Sequence, residues 1–383
     1  MNEAKARRPP LNKRLQPIFL TALSFFIFFT IPSHSHAAPS EENKPASEAE
    51  SLWEHYSLFS IVRALAIENQ GLWVGTANGL LHYDFSTGKQ TVYTTKDGLL
   101  SNIIHTIKVA PNGELWVGTI GGGLSRLKGG KWLTYTPYGA GSTVSYGNQW
   151  QHYPSGKGLG DLWVYGLHFD PSETLWVATW KGVSVFDGKS FKTSTTDDGL
   201  IDKWVYTLVQ DRKGTFFFCT EAGVSRFDGK TWKSWNNENG VGAKIEMGKP
   251  PVAQGLPFTP RHHEGDHKPL SYNPNYIVSS AIDSKDHLWV GTLGAGLSRF
   301  DGKSWSSYSK QDGLAGNMVH ALKFDSQGIL WIGTDEGVSR FDGFTFQNLT
   351  EKDGIGAVFS IEIDRQGYKW FGTFGGVSQY RGN

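Results

Sequence analysis

The chain has 383 residues, with 37 Lys and Arg against 36 Asp and Glu, 14% aromatic residues and 47 glycines. Balanced charge excludes the basic footprint that phosphate contacts demand, so no nucleic-acid partner is expected. So much glycine argues against a helical protein; glycines at turns and aromatics on pleated strands point to an all-β chain.

The N-terminus is a different kind of sequence. Lys5, Arg7, Arg8, Lys13 and Arg14 precede an apolar run from Ile18 to Ile31, and small residues at Ser35 and Ala37 suit cleavage after Ala37. The apolar run is short for a membrane span, which needs about 20 residues. The alternative is an uncleaved anchor. Residues 1–37 therefore read as a signal peptide, and 38–51, polar and without aromatics, as a disordered lead-in. A monomer in the periplasm or outside the cell is expected, free of the membrane once cleaved. Cys219, the lone cysteine, rules out intramolecular disulfides and cysteine-rich metal sites.

From residue 52 onward the chain repeats. The pattern Leu72-Trp73-Val74-Gly75-Thr76 returns at Leu115–Thr119, Leu175–Thr179, Leu288–Thr292, Leu330–Thr334 and Lys369–Thr373, with a degenerate copy at Phe216–Thr220. Before each copy lies an alternating run such as Val319–Phe324, and after it a second such as Gly337–Phe341. Asp-Gly pairs at Asp187, Asp228, Asp301 and Asp342 predict type I′ hairpins, with positive φ at both central residues. An outer strand follows, with aromatics three apart at Trp132/Tyr135, Trp232/Trp235 and Trp305/Tyr308. Four antiparallel strands repeating about every 40 residues make one propeller blade. The last unit ends after its third strand, at Tyr380, and Leu52–Ser57 supplies the missing fourth. Residues 52–383 thus predict a seven-bladed β-propeller whose N-terminal strand closes the last blade.

The LWVGT strands, Gly223–Gly229, Gly296–Gly302 and the Asp-Gly-Leu loops at Asp97–Leu99 and Asp312–Leu314 resemble the two-component regulator propeller family. Members of that family typically form the extracytoplasmic sensor part of membrane histidine kinases. The resemblance implies a propeller that binds a ligand or a partner. No membrane helix, kinase or Ig-like connector follows the repeats, so the expectation is a stand-alone member, with a separate signalling protein as one candidate partner.

Most tryptophans recur at blade spacing and belong between blades. Trp150, Trp163, Trp180 and Trp204 do not. Loops after the second strand and loops between blades emerge on one propeller face, around the channel mouth, so these four are candidate ligand contacts; for Trp163 and Trp204 core packing is the alternative. Insertions near 137–160 and 239–274 fall in blade-to-blade loops of the same face, and loops of that length are usually functional or disordered. Aromatic-rich loops over a concavity suit sugar rings or apolar ligands. The residue after the first Val or Ile of each inner strand reads Arg63, His105, Tyr165, Tyr206, Val278, His320 and Phe359. Its polar members, with the carboxylates of Asp335, Glu336 and Glu221 from the loops after the second strand, form a candidate ring at the channel; a water-filled channel of satisfied polar groups is the alternative.

His262, His263 and His267 have spacing that could hold zinc or copper. The prolines around them oppose a stable helix, so they are weak candidates, and no metal or other cofactor is expected. No nucleophile elbow, zinc-protease motif or phosphate loop is present. The favoured reading is an exported recognition or sensor propeller for a small, carbohydrate-like ligand or a protein partner, and not an enzyme. A propeller lyase or glycosidase, with acid–base groups on the same face, and a pure protein-interaction scaffold are the alternatives.

Overall fold

The structure, a computed structural model, describes residues 52–137, 158–244 and 273–382. The predicted signal peptide, Trp150 and His262, His263 and His267 lie outside the described residues. Seven four-stranded antiparallel sheets form the blades of the predicted propeller. The inner strands of blades one to seven are Val62–Glu68, Ile104–Val109, Val164–Phe169, Val205–Gln210, Ile277–Ile282, Val319–Phe324 and Val358–Ile363. Blade seven takes its outer strand from the beginning of the chain: Trp53–Ser57 pairs with Gly376–Tyr380, with Trp53 opposite Tyr380 and Ser57 opposite Gly376. Pairing the two ends this way hides edges that would otherwise invite another chain. Among the described residues, no helix is long and apolar enough to cross a membrane.

Three letters of the repeated pentapeptide have distinct physical tasks. Its glycine is where the next blade leans in. A Cβ on Gly75 would stand 2.7 Å from Ile104, one on Gly333 2.8 Å from Val358, and one on Gly372 2.7 Å from Val62, which is the contact that closes the ring. Its threonine hydroxyl donates to the carbonyl of the glycine opening the third strand, as in Thr76 to Gly79 and Thr334 to Gly337, both at 2.9 Å. Its tryptophan is core and hydrogen-bond donor at once. In blade six the Trp331 indole N–H donates to Asp325 Oδ2 at 2.9 Å, while Asp325 Oδ1 accepts from the amides of Gln327 and Ile329. The same link joins Trp176 to Asp170, Trp289 to Asp283 and Trp370 to Asp364. One aspartate thus ties a turn to the blade interior and leaves no buried indole N–H unmet there.

The Asp-Gly hairpins are built differently from the type I′ expectation. Only the glycine has positive φ, for example 91° at Gly188 and 94° at Gly302, and the aspartates before them do not. The loop is four residues long, closed between Phe186 and Phe191 in blade three. The aspartate carboxylate folds back instead: Asp187 Oδ1 accepts from the amides of Lys189 at 2.8 Å and Ser190 at 2.7 Å. This Asx geometry performs the turn without a left-handed aspartate.

Candidate functional site

All seven inner strands pair with their neighbours through a register shift at the same place, between Val62 and Ala64 in blade one and between Val358 and Ser360 in blade seven. The shifted residue in each is the one after the first Val or Ile. A bulge frees that residue from the ladder and re-aims its side chain. The seven bulged residues are Arg63, His105, Tyr165, Tyr206, Val278, His320 and Phe359, and all of them line a central cavity of about 350 Å³. The sequence ring is therefore a structural ring, and a repeated backbone feature makes it.

The ring carries dissimilar chemistry around its circumference. The His105 ring lies 4.8 Å from Tyr165, which lies 4.8 Å from Tyr206, which lies 4.6 Å from Tyr276. On the other side His320 lies 5.0 Å from Phe359, which meets Phe374 at 4.8 Å. Tyr276 covers the position that Val278 would leave thin. Its phenol is hydrogen-bonded to Tyr206, whose hydroxyl donates to Glu221 at 3.1 Å. Burial, with neighbouring phenols and Glu221, raises the pKa of Tyr165 and Tyr206 far above the ordinary phenol value. Both remain neutral hydroxyls at any physiological pH.

The two histidines are also held neutral. Burial first, then the Arg63 charge, pushes His105 down to about 3, against a hydrogen bond to the Tyr165 carbonyl that favours its proton. The same two causes push His320 down to about 4. Burial also lowers the pKa of Arg63, but a guanidinium stays protonated in proteins.

Above the tyrosines stand the unrepeated tryptophans. Trp163 and Trp180 have ring centroids 4.8 Å apart, Trp180 and Trp204 6.1 Å, and Trp163 reaches down to Tyr165 at 6.4 Å. All three are half-buried. Trp163 and Trp204 are aimed by Asx turns, in which Asp161 Oδ1 accepts from the Trp163 amide at 2.9 Å and Asp202 Oδ1 from the Trp204 amide at 3.3 Å. Lys203 lies 5.3 Å over the Trp204 ring. Burial raises the pKa of Asp161 and Asp202, opposed by the backbone amides they accept from. Trp163, Trp180, Trp204, Tyr165, Tyr206 and Tyr276 thus form a continuous aromatic arc across blades three, four and five. The insertions leave the described chain at 137 and 244, on either side of blades three and four.

Asp335 has a quieter place. It is outside the cavity lining, where Oδ1 accepts from the Met318 amide at 3.2 Å, and burial raises its pKa. Tyr276 and Phe374 went unselected by the sequence reading as mouth residues. Tyr276 had a signal: it precedes its inner strand in the same register as Trp163 and Trp204. Among the described residues, no cluster of His, Cys, Asp and Glu could hold a metal ion. Cys219 is buried, which pushes its thiol up to about 12 and makes it inert.

Fold and site together define an all-β, seven-bladed propeller with an aromatic arc on one mouth of its channel. Residues 98–121 and 313–336 match the two component regulator propeller family, so the chain carries repeats of that kind. No curated protein matches the sequence. The fold is similar to the extracellular domain of a hybrid two component system from B. thetaiotaomicron, with a TM-score of 0.68, 20% identity, and 88% of this chain and 42% of that one covered. It is also similar to virginiamycin B lyase from Staphylococcus aureus, at a TM-score of 0.59 and 13% identity over 85% of this chain and 98% of the enzyme. A third likeness is YCF48 bound to D1 peptide, at a TM-score of 0.56 and 12% identity, covering 88% and 99%. The chain spans 42% and 40% of the two B. thetaiotaomicron domains it resembles.

Proposed function

We propose that this chain is an exported recognition propeller that takes a small, ring-bearing, carbohydrate-like ligand on the face carrying both insertions. The observation behind this is the aromatic arc of blades three to five, six rings gathered where the repeat requires none. Half-buried indoles stack on sugar rings at little conformational cost, and polar groups beside them orient the ligand. The likeness to extracellular domains of two component systems supports a sensing role outside the cytoplasm, and a separate signalling protein would be the downstream partner.

Thermal melting of residues 38–383 against neutral oligosaccharides, with mass spectrometry on each hit, tests the reading. A ligand at about 100 times its dissociation constant stabilises by roughly 2.7 kcal/mol. A hit recovered intact supports a binding module. A hit consumed favours the second reading, an enzyme, for which the shared fold of virginiamycin B lyase is the motivation. Silence from every compound would shift the face to a protein partner.

A further inference from the structure

We infer that the channel beneath the aromatic arc is an anion site, built to seat the carboxylate of a small ring-bearing monocarboxylate. The inference rests on the recognition reading above and names the chemistry of its ligand. The cavity lining carries one permanently charged side chain, Arg63, and no Asp or Glu. Its guanidinium presents a planar fork that matches a carboxylate in bidentate fashion.

Two further groups stand ready beside it. Tyr165 is 6% exposed and lines the cavity, and its hydroxyl has no hydrogen-bond partner among the described residues. The same holds for the buried Nε2 of His320, also in the lining. A buried hydroxyl left unmet has lost its hydration without replacement, a cost that an arriving acceptor removes. A neutral imidazole can present its N–H to the same acceptor. Arg63 lies close enough to both histidines for its charge to depress the proton affinity of each. Cation, phenol and imidazoles therefore share one volume. Phe359, Tyr165 and Tyr206 wall that volume with ring surface, and Tyr165 connects it through Trp163 to the arc above. A ligand with one flat ring and one carboxylate offers an acceptor to Arg63, Tyr165 and His320 and a face to the ring walls. A cation or a polyanion does not.

The test titrates the exported chain with two matched pairs, sodium benzoate against benzamide and D-glucuronate against D-glucose. Heat is measured by calorimetry, and the imidazole nitrogen resonances of His105 and His320 report channel occupancy. We expect at least one acid to bind and move both resonances, with its neutral counterpart at least tenfold weaker. Arg63→Met should weaken that acid at least tenfold, and Arg63→Lys less. If Arg63→Met does not fold, Tyr165→Phe removes only the hydroxyl and should weaken the acid about threefold. Which acid responds distinguishes a sugar acid from an aromatic one. The inference is overturned if neither acid binds, if the neutral compound binds as well, or if the foldable variants keep full affinity. Neutral oligosaccharides binding at the mouth while both acids stay silent would sink this inference alone and leave the recognition reading standing.

Discussion

Trp331 lies within the pentapeptide strand of blade six and Trp180 directly after that of blade three, and the protein uses them in opposite ways. Trp331 is 1% exposed, its N–H held by Asp325, and three other blades repeat the pair. Trp180 is half-buried one residue past its pentapeptide, where the other blades have Ala77, Ile120, Glu221, Leu293, Asp335 and Phe374. The first position is fixed by what a blade needs from its neighbour. The second varies freely, so a large aromatic there answers to something other than the fold. Repeated residues hold the ring together; unrepeated ones at the mouth are available for function.

Substitutions should separate the two regions. Trp331→Ala removes a fully buried indole and strands the Asp325 carboxylate, and should cost about 3–5 kcal/mol in urea unfolding. A loss below about 1 kcal/mol would mean that the blade interior does not depend on the repeat. Asp325→Ala deletes three hydrogen bonds and keeps the packing, for about 2 kcal/mol. Neither change should reach the mouth, so ligand affinity of the folded fraction should hold.

The channel should show itself in the pH dependence of stability. His105 and His320 have folded pKa values near 3 and 4, below the unfolded value of 6.5. Between those limits the unfolded chain binds more protons, so stability is fully present above about pH 6.5 and falls as pH falls toward 4. The slope in that window should approach about 1.4 kcal/mol per pH unit for each imidazole. Asn at both positions should flatten that segment of the curve, and an unchanged slope would mean that channel water solvates both imidazoles. The smallest effect on stability is expected for Trp180→Ala and Trp204→Ala, about 1 kcal/mol or less each.

The ring was legible in the sequence because a blade cannot bury its faces alone. The demand for a neighbour writes the same Trp, Gly and Thr into successive units. The split blade was legible for the same reason, since Trp53 and Tyr56 only make sense opposite a strand that lacked its partner. The Asp-Gly turns misled because a carboxylate can satisfy turn amides that the I′ geometry would otherwise place; the dipeptide is the same in both. At the mouth, Arg63, His105, Tyr165, Tyr206 and His320 were visible through register alone. Tyr276 and Phe374 were not picked out: Tyr276 shares the register of Trp163 and Trp204, but nothing in the sequence brings it against Tyr206, and Phe374 sits at a loop position with no fixed pattern. Asp335 was visible as a carboxylate near the mouth, but its hold on the Met318 amide was not. Trp150 and the histidines of the second insertion fall outside the described residues.

The central claim is that the unrepeated aromatic arc binds ligand. Its most direct test is thermal melting of the wild type and a Trp180→Ala/Trp204→Ala double variant against one panel of neutral oligosaccharides and ring-bearing acids. The account predicts at least one compound that stabilises the wild type by a few degrees and leaves the folded double variant unmoved. Equal stabilisation of both proteins by every active compound would contradict it, and would place recognition away from blades three to five.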